Sequence, residues 1–89
     1  MTVDFLNSFK KDLKKLSDKK LKLKIKTTIL QLEAVADLSQ IKNLKKMKGK
    51  TANAYRIRIG EYRLGFFEEN NTLILARFVK RNDIYKVFP

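Results

Sequence analysis

Apolar residues follow two different periods along this chain, one in each half. Val3 and Phe5 alternate with Thr2 and Asp4, which predicts a short first strand. Asn7 or Ser8 then offers a helix cap, and Phe9, Leu13 and Leu16 recur at helical spacing. The stretch SDKK, residues 17–20, holds further capping residues and predicts the start of a second helix. Leu21, Ile25, Ile29, Leu32 and Ala36 form its apolar stripe, ending near Asp37. Two helices joined by two or three residues make an antiparallel hairpin with one shared apolar face.

Past residue 42 the period shortens to that of strands. LKKMKGK, residues 44–50, reads as a short strand running into a loop. Residues 54–59 alternate cleanly, with Tyr55, Ile57 and Ile59 on one face. Gly60-Glu61 is a two-residue hairpin turn, residues 62–68 return, and 72–79 form a long final strand. The tail, KRNDIYKVFP, closes the chain. No repeat or linker interrupts this order, so the reading is one α+β domain over 1–89: a short N-terminal strand, an antiparallel helical hairpin, then an antiparallel sheet of three to four strands.

The turn at 60–61 fixes a register. Tyr55, Ile57, Leu64 and Phe66 fall on one side and must be core, while Arg56, Arg58, Arg63 and Gly65 share the other. Arg58 then faces Arg63, although like charges directly opposite destabilise a sheet. Gly65 weakens a strand interior and often marks a place where something approaches closely. A three-residue turn at 69–71 would set Arg77 opposite Arg63; a two-residue turn at 70–71 would set it beside core Leu64, so the first register is expected. Lys80 and Arg81 lie beyond the sheet's edge, and Tyr85 offers a flat surface for an unstacked base.

Composition narrows the chemistry. The chain has no cysteine and no histidine, which removes disulfides, thiol catalysis, the usual general base and the commonest metal ligands. Any chemistry must run on Lys, Arg, Tyr, Asp or Glu, and neither metal nor cofactor is expected. Net charge is +12, from 21 basic and 9 acidic residues, more than solubility requires. A field of that sign gathers polyanions, so a nucleic acid or an acidic protein is the expected partner. Lysines 10, 11, 14, 15, 19, 20, 22, 24 and 26 crowd the outer faces of the hairpin, as a solvated surface or as a phosphate-tracking patch. No apolar run is long enough for a signal peptide or a membrane span, so the expected setting is cytoplasmic, with no membrane.

With these elements in order, KMKG before YRIRIGEYRLGFF and RFVKRNDIYKVFP at the end resemble the RelE/ParE superfamily of bacterial type II toxins. The resemblance covers nearly the whole chain and implies a RelE-like fold. It also implies a ribosome-dependent mRNA endoribonuclease neutralised by a cognate antitoxin with an acidic tail that folds on binding. The partners implied are mRNA on the ribosome, with rRNA contacts through the lysine-rich helices. The catalytic positions carried over by motif are Arg56, Arg58, Arg63, Arg81 and Tyr85; to these the reading adds Lys80 as a catalytic candidate and Arg77, Lys48 and Lys50 as substrate-binding candidates.

Two departures from that pattern shape the expected chemistry. RelE itself carries lysines at the two strand positions, where this chain has arginine, a permanent cation that stabilises charge but does not accept protons. Many relatives carry histidine just before the terminal arginine, where this chain has Lys80. The proton-handling candidates are therefore Lys80, expected to be buried among the cations, and Tyr85. The alternatives are a ParE-like inhibitor of DNA gyrase on the same fold, and a toxin fold without catalysis that only binds RNA or antitoxin.

Overall fold

The computed structural model describes residues 1–48 and 53–89. Its five strands form one sheet in the order β1-β5-β4-β3-β2. They are β1 (Thr2–Phe5), β2 (Leu44–Lys46), β3 (Ala54–Ile59), β4 (Tyr62–Glu69) and β5 (Thr72–Lys80). Helices α1 (Asn7–Lys14) and α2 (Lys19–Ala34) cover one face, and a short helix α3 (Arg81–Val87) follows β5. This is the α+β architecture expected, with one correction: the sheet is mixed and has five strands. The N-terminal strand joins it parallel to β5, with Val3 opposite Leu73. Among the described residues, no helix is long and apolar enough to cross a membrane.

Each helix boundary has a local cause. Asp18 caps α2, its carboxylate accepting from the Lys20 and Leu21 amides at 2.9 and 3.2 Å. The link between the helices, Lys15–Asp18, is longer than expected. The second helix ends at Ala34, short of Asp37, because Asp37 instead caps a 3-10 turn over Leu38–Gln40. Helix α1 begins after Leu6 with no side-chain cap. Ser8, a candidate cap, turns its hydroxyl to the Ala76 carbonyl at 2.6 Å.

The main core lies between these helices and the sheet. Phe9, Ile25 and Leu32 meet Ile57, Leu64, Phe66, Leu73, Leu75 and Phe78, all buried. Each such side chain contributes about 1.5–3 kcal/mol by leaving water. A second, smaller cluster of Ala54, Ala76, Ile84 and Phe88 lies on the opposite face of the sheet, under α3.

The β4–β5 register differs from the expected one. The turn is the two-residue Asn70-Asn71, both with positive φ (50° and 64°), so Glu69 faces Thr72. Simple continuation would then drive Arg77 against core Leu64. A β-bulge prevents it: Phe66 faces Leu75 but Gly65 faces Arg77, so Ala76 is the extra residue. Arg77 therefore sits opposite Gly65, not Arg63.

Where β1 stops, α1 takes over the edge of β5. The Leu75 carbonyl accepts from the Leu6 amide at 2.9 Å, and the Phe78 amide donates to Asp12 at 2.9 Å. Asp12 is buried and also holds Arg77 in a fork, with Nε at 2.8 Å and Nη2 at 3.1 Å. One carboxylate thus satisfies a strand edge and neutralises a cation.

Candidate functional site

The hairpin of β3 and β4 forms in the expected register, with Arg58 facing Arg63 and Arg56 facing Gly65. Gly60 takes φ 58° in the turn, the conformation for which its missing side chain suits it. Its strands place Arg56 and Arg63 half-buried and Arg58 exposed.

Arg63 is held by its own turn. Its Nη1 donates to the Gly60 carbonyl at 3.1 Å and to the Tyr62 carbonyl at 2.9 Å. Burial lowers its pKa, and the charges of Arg81 and Arg58 lower it further. It remains a cation throughout the physiological range. The like-charge cost expected from the sequence is therefore present in the folded chain, unrelieved by any carboxylate bonded to Arg56, Arg58 or Arg63 among the described residues.

Helix α3 supplies the other half of the site. The Arg81 amide donates to the Glu61 carbonyl at 2.9 Å, which fastens the first residue of the helix to the β3–β4 turn. Arg81 and Tyr85 lie one turn apart on one side of α3, while Ile84 points into the second core cluster. The Arg56 guanidinium stands 4.7 Å from the centre of the Tyr85 ring. Tyr85 is 60% exposed, so its ring and hydroxyl stay open to a ligand. The Arg81 guanidinium beside the phenol lowers its pKa below the ordinary value; loss of hydration opposes that, and the nearby Arg56 guanidinium adds to the lowering.

Of the residues singled out in the sequence, the fold gathers Arg56, Arg58, Arg63, Arg81 and Tyr85 around one patch. Lys80 is exposed at the N-cap of α3, rather than buried among the cations. Arg77 is committed to Asp12 at the sheet's edge. Lys48 is exposed just after β2, and Lys50 lies outside the described residues. All nine lysines of the outer helix faces are exposed. Sequence reasoning missed the floor of the patch. Phe88 lies buried over Gly65, and a Cβ on Gly65 would meet its ring carbons at 2.6–2.9 Å. The close approach that Gly65 foreshadowed comes from within the chain.

A family model for the ParE toxin of the type II toxin-antitoxin system, parDE, matches residues 3–85. Toxin RelE3 of Methanocaldococcus jannaschii is 38% identical over 90 residues, covering 100% of both chains. The fold superposes on the crystal structure of the RelB-RelE antitoxin-toxin complex from Methanococcus jannaschii with a TM-score of 0.80 at 35% identity, covering 97% of this chain and 99% of that one. The toxin-antitoxin complex RelBE2 from Mycobacterium tuberculosis matches with a TM-score of 0.59 at 27% identity, covering 92% of each chain.

Proposed function

Since the chain belongs to the RelE/ParE toxin family of type II toxin-antitoxin systems, we propose that its arginine patch cleaves mRNA in the ribosome and so stops translation. The observation that carries this reading is the meeting of Tyr85 with Arg56 and Arg81 above the cationic strands. A gyrase-inhibiting surface has no need of an exposed phenol set among fixed cations.

The reaction is an internal transfer. The 2′-oxygen of a ribose forms a bond to its own 3′-phosphorus, and the bond from phosphorus to the next 5′-oxygen breaks. The proton of the 2′-hydroxyl must leave, and the departing 5′-oxygen must gain one. Tyr85 takes the first proton, since the neighbouring arginines favour its phenolate; the departing 5′-oxygen takes its proton from solvent water, and the hydroxide so formed recovers the proton from Tyr85. Arg56, Arg58 and Arg63 hold the phosphate and stabilise the doubly charged phosphorane, each fork matching paired phosphate oxygens. Arg81 holds the phenol in place. Lys80, exposed at the helix start, is left without the proton-transfer role.

A cognate antitoxin is the second part of the proposal. Relatives have been crystallised as antitoxin-toxin complexes, and a +12 chain suits an acidic partner. Expressed alone, the chain should arrest growth, and co-expression of the adjacent open reading frame should relieve the arrest.

The decisive experiment is translation in vitro on programmed ribosomes, mapping new 5′ ends with wild type and with Arg63→Ala. Cuts in the ribosomal A site that vanish in the variant support the nuclease. Intact mRNA with folded protein refutes it. A parallel assay of DNA supercoiling then tests gyrase inhibition, the activity of the ParE branch that the family model names.

A further inference from the structure

Helix α3 has seven residues, too few to be helical unaided. Its orientation therefore depends on what it is fastened to. At its start the Arg81 amide binds the Glu61 carbonyl. At its end the Phe88 amide donates to the Ile84 carbonyl at 2.9 Å, and the Phe88 ring, 5% exposed, lies directly over Gly65. That ring also meets Phe67, with centroids 5.0 Å apart and planes tilted by 51°. Gly65 is the cross-strand neighbour of Arg56, and the Arg56 guanidinium is the group lying on Tyr85. The seat of the helix and the site it serves are thus on adjacent residues of two paired strands.

We propose that Phe88 is a positioning residue: seated in the space that Gly65 leaves on the sheet, it sets the height and rotation of α3 and thereby holds Tyr85, with Arg81 beside it on the same helix, against Arg56 of the strand. Gly65 is the other half of this device. Any side chain there lifts the ring, because 2.6 Å is closer than a Cβ and an aromatic carbon can lie. Shortening Phe88 has the opposite geometry and the same outcome, since α3 then settles into the vacated space. In both cases Tyr85 and Arg81 move together with the helix, away from Arg56, Arg58 and Arg63, which the strands keep where they are. Substrate phosphate is still bound, but the proton acceptor is misplaced. This deepens the nuclease reading and rests on it only for the activity readout.

The test uses Phe88→Ala, Phe88→Leu and Gly65→Ala in the whole chain, with two measurements. The first is the phenolate absorbance of Tyr85 against pH, identified by subtracting the Tyr85→Phe spectrum. The second is mRNA cleavage on programmed ribosomes, separated into kcat and KM. Phe88→Ala and Gly65→Ala should each move the Tyr85 titration upward by the part that Arg56 contributes, Arg81 staying with the phenol on the same helix. Each should lower kcat by about 10²-fold, the cost of a misplacement near 1 Å, with KM nearly unchanged. Phe88→Leu, which keeps an apolar side chain over Gly65, should retain most of both. Should Phe88→Ala not fold, Gly65→Ala and Phe88→Leu read the same two quantities. A wild-type Tyr85 titration in folded Phe88→Ala or Gly65→Ala overturns the proposal, whatever happens to cleavage. If wild type cuts no mRNA while the titration shifts as described, the positioning stands and the nuclease reading alone fails.

Discussion

Asp12 is the residue whose loss should damage this fold most for its size. It accepts three hydrogen bonds, two from Arg77 and one from the Phe78 amide. In Asp12→Ala the guanidinium loses its counter-charge and the strand amide loses its partner. Breaking a buried pair from one side costs about 3–5 kcal/mol, and an orphaned buried amide about 1–3. The Arg77 side chain is 27% exposed and can recover some water, so the lower end applies. A net loss of about 2–4 kcal/mol is expected, out of the 5–15 that holds a typical domain together. For a chain of this length that corresponds to a fall of about 10–25 °C in Tm. Urea unfolding followed by circular dichroism measures it directly. The double variant Asp12→Leu/Arg77→Met should recover much of the loss, because replacing both charges removes the unpaired one. A loss below about 1 kcal/mol in Asp12→Ala, or no recovery in the double variant, would refute the assignment of this pair as the clasp between α1 and β5.

Three further outcomes follow from the site and the turn. Tyr85→Phe should lower cleavage about 10²–10⁴-fold, the range for losing a general base, while Lys80→Met leaves it within a few fold; end mapping on programmed ribosomes separates the two. Arg81→Ala should raise the Tyr85 titration measured by phenolate absorbance. The folded phenol ionises below its unfolded value near 10, so its linkage adds stability as pH rises through the folded pKa and loses it as pH falls back, and the variant should lose stability selectively in alkaline urea melts. Asn71 has φ 64°, so Asn71→Val should destabilise by about 1–2 kcal/mol and Asn71→Gly should not. Equal effects of the two in urea melts would argue against the two-residue turn.

The sequence disclosed the β3–β4 hairpin fully because a two-residue turn at Gly60-Glu61 leaves only one register. It misled at the next hairpin for a physical reason. Alternation alone treats every strand residue as paired, and the bulge at Ala76 is an unpaired one that shifts all that follows. Arg77 was thus assigned a place facing Arg63, when its real partner is Asp12. A hint was present: Asp12 is the one acid in a run of lysines, beside Leu13 on the apolar side of α1. Helix α3 escaped because seven residues hold only two turns, although the spacing of Ile84 and Phe88 marks its buried side. Arg56, Arg58, Arg63, Arg81 and Tyr85 were legible as a set, but the depth at which each sits was not. Exposure of Lys80 depends on how α3 leaves the sheet, which no local pattern encodes.

The strand order carries a consequence for how the chain comes into being. β1 is the first strand made and β5 the last, yet β5 lies between β1 and β4 and must pair with both. Such distant pairing closes late and slowly. A growing polypeptide that has not yet reached Thr72 lacks the strand that joins β1 to the rest of the sheet, and Arg81 and Tyr85 are made only after that strand. Interrupted synthesis before that point leaves no partly armed product. On the proposed reading, activity follows the pairing of β5 with both its neighbours, so a neutralising partner need only reach the chain before that slow step is complete.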